Sequence, residues 1–415
     1  MNTETLDQPI VADVAVSAPA VVIESAAPAV AAVAEGPNPF IALGLDGALV
    51  RAVSDLGYTQ PTEVQAKVIP LAMGSGKADE ASIDLMVSSQ TGSGKTAAFL
   101  LPVLNTLIAQ KAIEAAAEQA EFERQRAQAA ASGEAAPKRA KRKNPMQSRN
   151  FKAAVPGALV LCPTRELAQQ VAQDAIELVK HCKNLRVANV VGGMPYQLQI
   201  AKLQNADLVV ATPGRLLDLQ RSLQIKLDKV QFLVVDEADR MLDLGFADDL
   251  EEVHQMTAQR KQTMMFSATF APRIQQLAMR VMHDGGANVQ KITIATPQQG
   301  HDNIQQKLYW ADHAQHKRKL LDHWLRDTTI NQAIVFASTQ VECDGLAQDL
   351  AEAGFSAAAL HGALSQGLRN RRLRALREGQ IQILVATDVA ARGIDVPTIT
   401  HVFNYGLPMK AEDYT

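Results

Sequence analysis

The sequence has few aromatic residues, few cysteines and no Lys or Arg in its first 50 positions. Aromatic residues make up 4% of the 415 residues, although 47% are hydrophobic, so any core is built mainly from Ala, Leu, Val and Ile. The three cysteines (Cys162, Cys182 and Cys343) show no metal-ligand spacing, which favours free thiols in a reducing compartment over a disulfide framework. An N-terminus without Lys or Arg lacks the positive segment of a secretory signal.

An excess of positive charge is also missing. The net charge is −3 and the isoelectric point is about 6.3, so any polyanion must bind a local patch rather than a basic domain. The apolar stretch from Ile10 to Ala34 is interrupted by Asp13, Glu24 and several prolines and cannot cross a membrane as one helix. These absences predict a soluble cytoplasmic protein without a membrane segment, in which the Ala-, Val- and Pro-rich residues 1–39 form a disordered tail.

Short apolar runs that end in polar clusters recur along the rest of the chain, and each is followed by residues that could form a helix. This alternation predicts α/β domains with parallel sheets, whose carboxyl edges bind ligands. We expect a first domain over residues 40–298 and a second over 299–415, joined by a polar hinge. The runs are Leu85–Val87, Ala158–Leu161, Leu208–Val210, Phe232–Val235 and Met264–Phe266, followed in the second domain by Ala333–Phe336, Ala357–Leu360, Ile383–Val385 and His401–Phe403.

One segment, residues 110–150, does not follow this alternation. It begins rich in Ala, Gln, Glu and Arg and continues into a basic run over residues 137–143. We expect an exposed helix followed by a flexible surface loop, which could add salt-sensitive phosphate contacts.

A glycine-rich loop follows the first apolar run. Residues 89–96 read Ser-Gln-Thr-Gly-Ser-Gly-Lys-Thr and match the phosphate-binding loop of nucleotide hydrolases, except that Ser89 replaces the first glycine. Gly92 and Gly94 allow the backbone N–H groups around Thr91 and Ser93 to point at phosphate oxygens. Lys95 is then expected to reach the β- and γ-phosphates, and Thr96 to bind Mg²⁺.

Three carboxylates follow the run Phe232–Val235, at Asp236, Glu237 and Asp239. Alone, they could be the solvated start of a helix, because acids favour the first helical turn. Beside a phosphate loop they predict a nucleotide-hydrolysis site in which Asp236 holds Mg²⁺ and Glu237 activates the attacking water. Asp239 is better spaced for a structural hydrogen bond, for which Ser267 and Thr269 after the next run are candidates.

Together, the phosphate loop, the sequence Asp236-Glu237-Ala238-Asp239 and Ser267-Ala268-Thr269 resemble the DEAD-box RNA helicase family, with the bacterial RhlE-like branch as the nearest group. The resemblance implies two tandem RecA-like domains. It also implies that Tyr58 and Gln65, with the upstream Phe40, read the adenine of ATP. An amide side chain suits this role because it can pair with both the N6 donor and the N7 acceptor.

The resemblance further implies contacts with the RNA backbone from both domains. Taken singly, most of these residues could equally be helix caps or tight turns. The implied RNA contacts are Pro163, Thr164, Arg165, Gly192, Gly193, Thr212, Pro213, Gly214 and Arg215 in the first domain and Gln366, Arg369 and Thr387 in the second, where Gly393 and Asp395 would contact the nucleotide.

The sequence stops after Asp413-Tyr414-Thr415, before the final arginine motif of that family, so a second domain incomplete at its C-terminus is expected. The main hypothesis is an ATP-dependent RNA helicase or RNA–protein remodeller. One alternative is an ATP-gated RNA-binding module with little turnover, and another is a phosphate-loop ATPase that acts on something else. Trp310 and Trp324 are interpreted as core or hinge packing.

Overall fold

A computed structural model describes residues 38–74, 83–89, 92–132, 152–294, 305–391, 396 and 398–406. The predicted tail up to Pro37, the basic run 137–143 and three candidate site residues (Thr91, Gly393 and Asp395) lie outside these ranges. The strands are β1 Leu85–Ser88, β2 Ala158–Leu161, β3 Val187–Val190, β4 Leu208–Ala211, β5 Phe232–Val235, β6 Gln262–Ser267, β7 Gln290–Thr293, β8 Ala333–Ala337, β9 Ala357–Leu360, β10 Ile383–Thr387 and β11 His401–Asn404.

The helices alternate with these strands, as expected from the sequence. They are α1 Pro39–Ala42, α2 Gly47–Asp55, α3 Glu63–Met73, α4 Lys95–Ser132, α5 Arg165–Leu178, α6 Tyr196–Leu203, α7 Pro213–Arg221, α8 Ala238–Asp243, α9 Ala247–Met256, α10 Pro272–Val281, α11 Ala314–Leu325, α12 Gln340–Glu352, α13 Gln366–Arg377 and α14 Asp388–Ala391.

The first sheet has seven strands in the order β3-β4-β2-β5-β6-β1-β7, and all its pairings are parallel. Residues that alternate along each central strand belong to two separate apolar clusters, such as Val234 in one and Val235 in the other. The sheet is therefore buried on both faces, which explains why its central strands are continuous apolar runs. Parallel pairing brings the polar cluster after each strand to the same edge.

The second sheet has four parallel strands in the order β11-β8-β10-β9, also with an apolar cluster on each face. The two parallel-sheet α/β domains predicted from the sequence are thus confirmed. The edge strand β11 is the least covered, since Val402 is 55% exposed.

Helix α4 is long because it extends beyond the surface of the first domain as one continuous helix. Its first turns pack Phe99, Leu100 and Leu104 into the core of the first domain, whereas most of the residues beyond Lys111 are exposed. By length and composition this helix could span a membrane, but half of that stretch is buried inside the protein, so core packing accounts for its apolar residues. The segment starting at residue 110 therefore begins as helix.

Two features differ from the sequence analysis. The strands β3 and β7 were not predicted. In addition, Trp310 is 84% exposed, so its interpretation as packing is wrong. Trp324 does pack, against the ring of Tyr309 at a centroid distance of 5.0 Å.

Candidate ATP site and RNA interface

The phosphate loop links β1 to α4 at the carboxyl edge of the first sheet. Gly94 has φ +89°, and a Cβ there would lie 2.6 Å from Gln65 Nε2, so this position requires glycine. Lys95 Nζ donates to the carbonyl oxygen of Ser89 at 3.0 Å, and the Ser93 hydroxyl donates to Ser89 Oγ at 3.2 Å. The loop is therefore folded onto its own backbone, and Lys95 has to leave Ser89 to reach a phosphate.

The carboxylates after β5 lie within electrostatic range of Lys95. Asp236 is 3% exposed, and burial raises its pKa against the opposing charge of Lys95. Burial, followed by the charge of Asp236, raises the pKa of Glu237 to about 7. The influence of Lys95 on both pKa values indicates that the phosphate loop and the acids form one electrostatic site.

Glu237 adopts a left-handed backbone conformation, with φ 50° and ψ 56°. This is a strained region for a residue with a side chain, at a cost of about 1–2 kcal/mol. Asp236 Oδ1 accepts the Glu237 N–H at 3.0 Å, which stabilises the turn. Strain of this kind is typical of functional sites, because it directs a side chain where a regular helix start would not.

The sequence Ser267-Ala268-Thr269 contacts the phosphate loop rather than the acids. The Ser88 hydroxyl donates to the Ala268 carbonyl at 2.9 Å, and the Ser89 N–H donates to the Ser267 carbonyl at 3.2 Å. The Ser267 hydroxyl is buried without a partner among the described residues. The expected hydrogen bond between Asp239 and Ser267 or Thr269 is therefore not formed in this structure.

The candidate adenine residues fall into two groups. Tyr58 is 41% exposed and lines a cavity of about 60 Å³ together with Thr96. Gln65 lies in the first turn of α3, where its Oε1 accepts the Thr62 N–H at 3.0 Å and its Nε2 donates to the Gly94 carbonyl at 3.2 Å. Phe40, in contrast, is 0% exposed in the apolar core. Its predicted nucleotide contact is therefore not supported, because its ring has no free surface.

The candidate RNA residues of the first domain meet along one edge. Thr164 caps α5 by accepting the Leu167 N–H at 3.3 Å, and Thr212 with Pro213 begins α7. The Arg165 guanidinium lies against Gly192 and Gly193, where a Cβ would lie 3.1 Å and 2.8 Å from its nitrogen atoms. A Cβ at Gly214 would meet nothing within 4 Å, so this glycine leaves room for a ligand backbone.

Gln366 and Arg369 contact the first domain directly. Gln366 Oε1 accepts from Arg165 Nη1 at 3.2 Å, and its Nε2 donates to Glu166 Oε1 at 3.0 Å. Arg369 Nη2 lies 2.8 Å from the same Glu166 oxygen, and the side chains are 11% and 6% exposed, respectively. We call these four residues, with Gly193 packed against them, the interdomain junction. Thr387 ends β10 and is half-buried.

The role of Glu166 was not found from the sequence, although its neighbour Arg165 was a candidate. An acid in the first turn of a helix is common, so nothing in the sequence indicated that this one pairs across domains. The only signal was the arrangement Gln366-x-x-Arg369, which places an amide and a guanidinium on one face of α13.

Comparisons with known proteins match both domains of the chain. The DEAD/DEAH box helicase family matches residues 62–277, and the helicase conserved C-terminal domain matches residues 315–415. The ATP-dependent RNA helicase SrmB of Escherichia coli is 38% identical over 90% of this chain and 74% of its own length. The DEAD-box ATP-dependent RNA helicase 52A of rice (Oryza sativa) is 40% identical over 90% of this chain, which spans 58% of that protein.

The fold also matches solved structures. S. cerevisiae Dbp5 bound to RNA and ADP BeF3 is 29% identical, with a TM-score of 0.70 over 90% of this chain and 82% of Dbp5. Mss116p, at 24% identity and a TM-score of 0.69 over 90% of this chain and 69% of its own, shares the fold. The two-domain RecA-like architecture is therefore shared with these proteins.

Proposed function

The chain belongs to the DEAD/DEAH box helicase family, and we propose that it is an ATP-dependent RNA helicase that couples ATP binding and hydrolysis to local separation or remodelling of RNA. The ATP-binding domain covers residues 40–298 and the C-terminal domain 299–415, which enclose the two family matches. The relative SrmB is bacterial, which is consistent with the expected bacterial branch. The protein acts in the cytoplasm and not at a membrane.

The single observation that carries the proposal is the position of Lys95 after β1 and of Asp236 and Glu237 after β5, at the same edge of one parallel sheet. A lysine on a glycine-rich loop is suited to the terminal phosphates of a nucleotide, and a buried acid that forms no salt bridge with another described residue is suited to a metal ion. Among the described residues no group of three or more His, Cys, Asp or Glu could hold a metal. An ion at Asp236 would therefore take its other oxygens from Thr96, the nucleotide and water.

With this donor set, Thr96 and Asp236 would hold Mg²⁺, which neutralises charge on the phosphates when bound. Lys95 moves from the Ser89 carbonyl to the β- and γ-phosphate oxygens. Glu237 accepts a proton from the water that attacks the γ-phosphorus, and the bond from that phosphorus to the β–γ bridging oxygen breaks to release ADP. A pKa near 7 suits a general base at neutral pH, and the strained backbone holds the carboxylate in place.

RNA binds along the edge formed by Arg165, Gly192-Gly193 and the start of α7 at Thr212. Guanidinium groups pair with phosphates, and backbone N–H groups and hydroxyls reach phosphate and ribose oxygens. These contacts carry no base information, so binding is independent of sequence. Contact with the 2′-hydroxyl favours RNA over DNA.

The interdomain junction connects this edge to the second domain. Arg165 belongs to the proposed RNA surface and also bonds to Gln366. A movement of Arg165 when RNA binds therefore shifts Gln366 and helix α13. In the same way, closure of the two domains moves Arg165 at the RNA surface. Gln366 and Arg369 therefore act through the first domain in this conformation, whereas a direct RNA contact was expected from the sequence.

The proposal is tested by measuring ATP hydrolysis with and without single-stranded RNA, and strand separation of a short RNA duplex. We expect ATP turnover to rise with RNA and the duplex to separate only with ATP. An ATP turnover that is the same with and without RNA would favour the alternative of a phosphate-loop ATPase that acts on another substrate. The binding-only alternative is not favoured, since the curated relatives are named as helicases.

A further inference from the structure

The side chain of Tyr196 contacts residues at both ends of helix α7. Tyr196 is the first residue of α6 and follows the Gly192-Gly193 turn. Its hydroxyl hydrogen-bonds to the Ser222 hydroxyl at the C-terminal cap of α7. Ser222 Oγ also lies 2.8 Å from the Asp218 carbonyl, to which it donates, so Tyr196 is the donor to Ser222.

The ring of Tyr196 lies against Arg215 in the first turn of α7. The guanidinium carbon of Arg215 is 5.9 Å from the centroid of the ring, within the range of a cation–π contact. Arg215 and Ser222 are seven residues apart and therefore lie on the same side of the helix. One tyrosine side chain reaches both positions, so its hydroxyl bond fixes where the ring stands under the arginine.

Apart from this ring, Arg215 is only loosely held by its own domain. Its Nη1 donates to the Met194 carbonyl at 3.4 Å, and its Nε lies 3.7 Å from an Asp218 oxygen; both distances are at or beyond the limit of a good hydrogen bond. A guanidinium has five N–H donors. Most of the donors of Arg215 are therefore left for a ligand, and the ring of Tyr196 is part of the surface against which this side chain, 19% exposed, is packed.

We propose that Tyr196 is a positioning residue for RNA binding, whose ring holds the Arg215 guanidinium toward an RNA phosphate and whose hydroxyl is fixed by Ser222. This inference rests on the proposed RNA-binding function. It assigns Tyr196 an indirect role, since the ring supports the arginine and does not itself stack on a base.

The test is a double-mutant cycle on the full chain. The dissociation constant for a single-stranded RNA is measured with a non-hydrolysable ATP analogue for Tyr196→Leu, Arg215→Ala and the double variant. Loss of the ring is expected to weaken RNA binding about two- to fivefold. Arg215→Ala should weaken RNA binding by about tenfold or more. It should also reduce, by about 0.7, the slope of the logarithm of the RNA binding constant against the logarithm of the salt concentration. In the Arg215→Ala background, Tyr196→Leu should not weaken RNA binding further.

Three controls separate positioning from a general effect on folding. Tyr196→Phe keeps the ring and loses the bond to Ser222, so it should fall between wild type and Tyr196→Leu. Leu198→Ala alters a 53% exposed residue of the same helix and should leave RNA affinity unchanged. Tyr196→Leu should also raise the KM for RNA in the ATPase reaction, with kcat and the ATP affinity measured without RNA unchanged.

Two outcomes would overturn the inference alone. Tyr196→Leu could leave RNA affinity unchanged while Arg215→Ala weakens it, or the two effects could add fully, which would indicate that Tyr196 touches RNA directly. If Arg215→Ala itself had no effect on RNA affinity or on the salt slope, the proposed RNA role of Arg215 would fail first. The failure of the inference can therefore be distinguished from the failure of the proposed function.

Discussion

Two clusters of residues in this molecule, each built around buried carboxylate groups, differ in how the negative charge is compensated. At the ATP site, Asp236 and Glu237 lie near Lys95, but Lys95 bonds to the Ser89 carbonyl, and burial raises the pKa of both acids. At the interdomain junction, Glu166 has Arg369 at 2.8 Å and the Gln366 amide at 3.0 Å. The first cluster is available for a cation and a proton, whereas the second is satisfied by the protein itself.

The difference indicates separate roles. Burying a charge without a partner is expensive, so such a group persists where its reactivity is used. A buried pair with good hydrogen bonds fixes an orientation, since breaking one partner leaves the other uncompensated. We therefore assign chemistry to the first cluster and the connection between domains to the second. Substitutions at the two sites, and a change of pH, test this assignment.

The largest effect is expected at the ATP site. Glu237→Gln keeps the shape of the side chain and removes the proton acceptor, so the RNA-stimulated kcat should fall by about 10²- to 10⁴-fold, with ATP affinity retained. The control is Glu252→Gln, which alters a surface pair with Arg221 and should not change kcat. Steady-state kinetics and nucleotide binding give both quantities. Hydrolysis retained in Glu237→Gln would remove Glu237 from the mechanism.

A large stability effect is expected at the junction. Arg369→Ala leaves Glu166 buried without its cation, so the free energy of unfolding should fall by about 3–5 kcal/mol. The surface pair of Arg221 and Glu252 has the same kind of charges at 2.7 Å, but Arg221→Ala should cost less than about 1 kcal/mol. Urea unfolding measures both. Equal costs for the two arginines would show that the junction is no different from a surface pair.

A smaller loss of stability is expected when a side chain is added at Gly193, where the backbone packs closely against the junction. Gly193 has φ +78°, and a Cβ would lie 2.8 Å from Arg165 Nη1 and 2.9 Å from Gln366 Cβ. Gly193→Ala should therefore cost about 1–3 kcal/mol and weaken the coupling between RNA and ATP. Gly214→Ala is the matched control for stability, because its Cβ would meet open space. A Gly193→Ala protein as stable as wild type would contradict the packing described.

An effect of similar size, about 2–3 kcal/mol, is expected in the pH dependence of stability without nucleotide and with a metal chelator. The folded protein holds the Glu237 proton up to about pH 7, whereas the unfolded chain releases it near its ordinary value of about 4.5. Raising the pH through this window should therefore lower the stability contributed by this group. Thermal unfolding should show a smaller loss between pH 5 and pH 8 in Glu237→Gln than in wild type. An equal loss in both proteins would contradict the raised pKa.

The central strands and the ATP site were predictable because they are local patterns. Runs such as Phe232–Val235 are apolar throughout, since both faces of the sheet are covered, and the phosphate loop is a contiguous motif. The strands missed, β3 and β7, are the two edges of the first sheet. They carry polar residues where one side is open, as at Gln290 and Lys291 in β7, so they lack a continuous apolar run.

Contacts between distant residues were not predictable from the sequence. Glu166 and Arg369 are 203 positions apart, and only the packing of α13 against the first domain pairs them. The burial of Phe40 was not predictable for a similar reason, because an aromatic residue near an ATP motif could stack on adenine or fill a core. Its complete burial follows from the tertiary packing of α1.

The most direct test of the contrast is the dissociation constant for single-stranded RNA with and without a non-hydrolysable ATP analogue. It is compared in wild type, Glu237→Gln and Arg369→Ala, well below their unfolding midpoints. If the acids of the ATP site act in hydrolysis and the junction connects the domains, the analogue should tighten RNA binding in wild type and in Glu237→Gln. In Arg369→Ala the analogue should have little effect on RNA binding. Equal tightening in all three proteins would contradict the account.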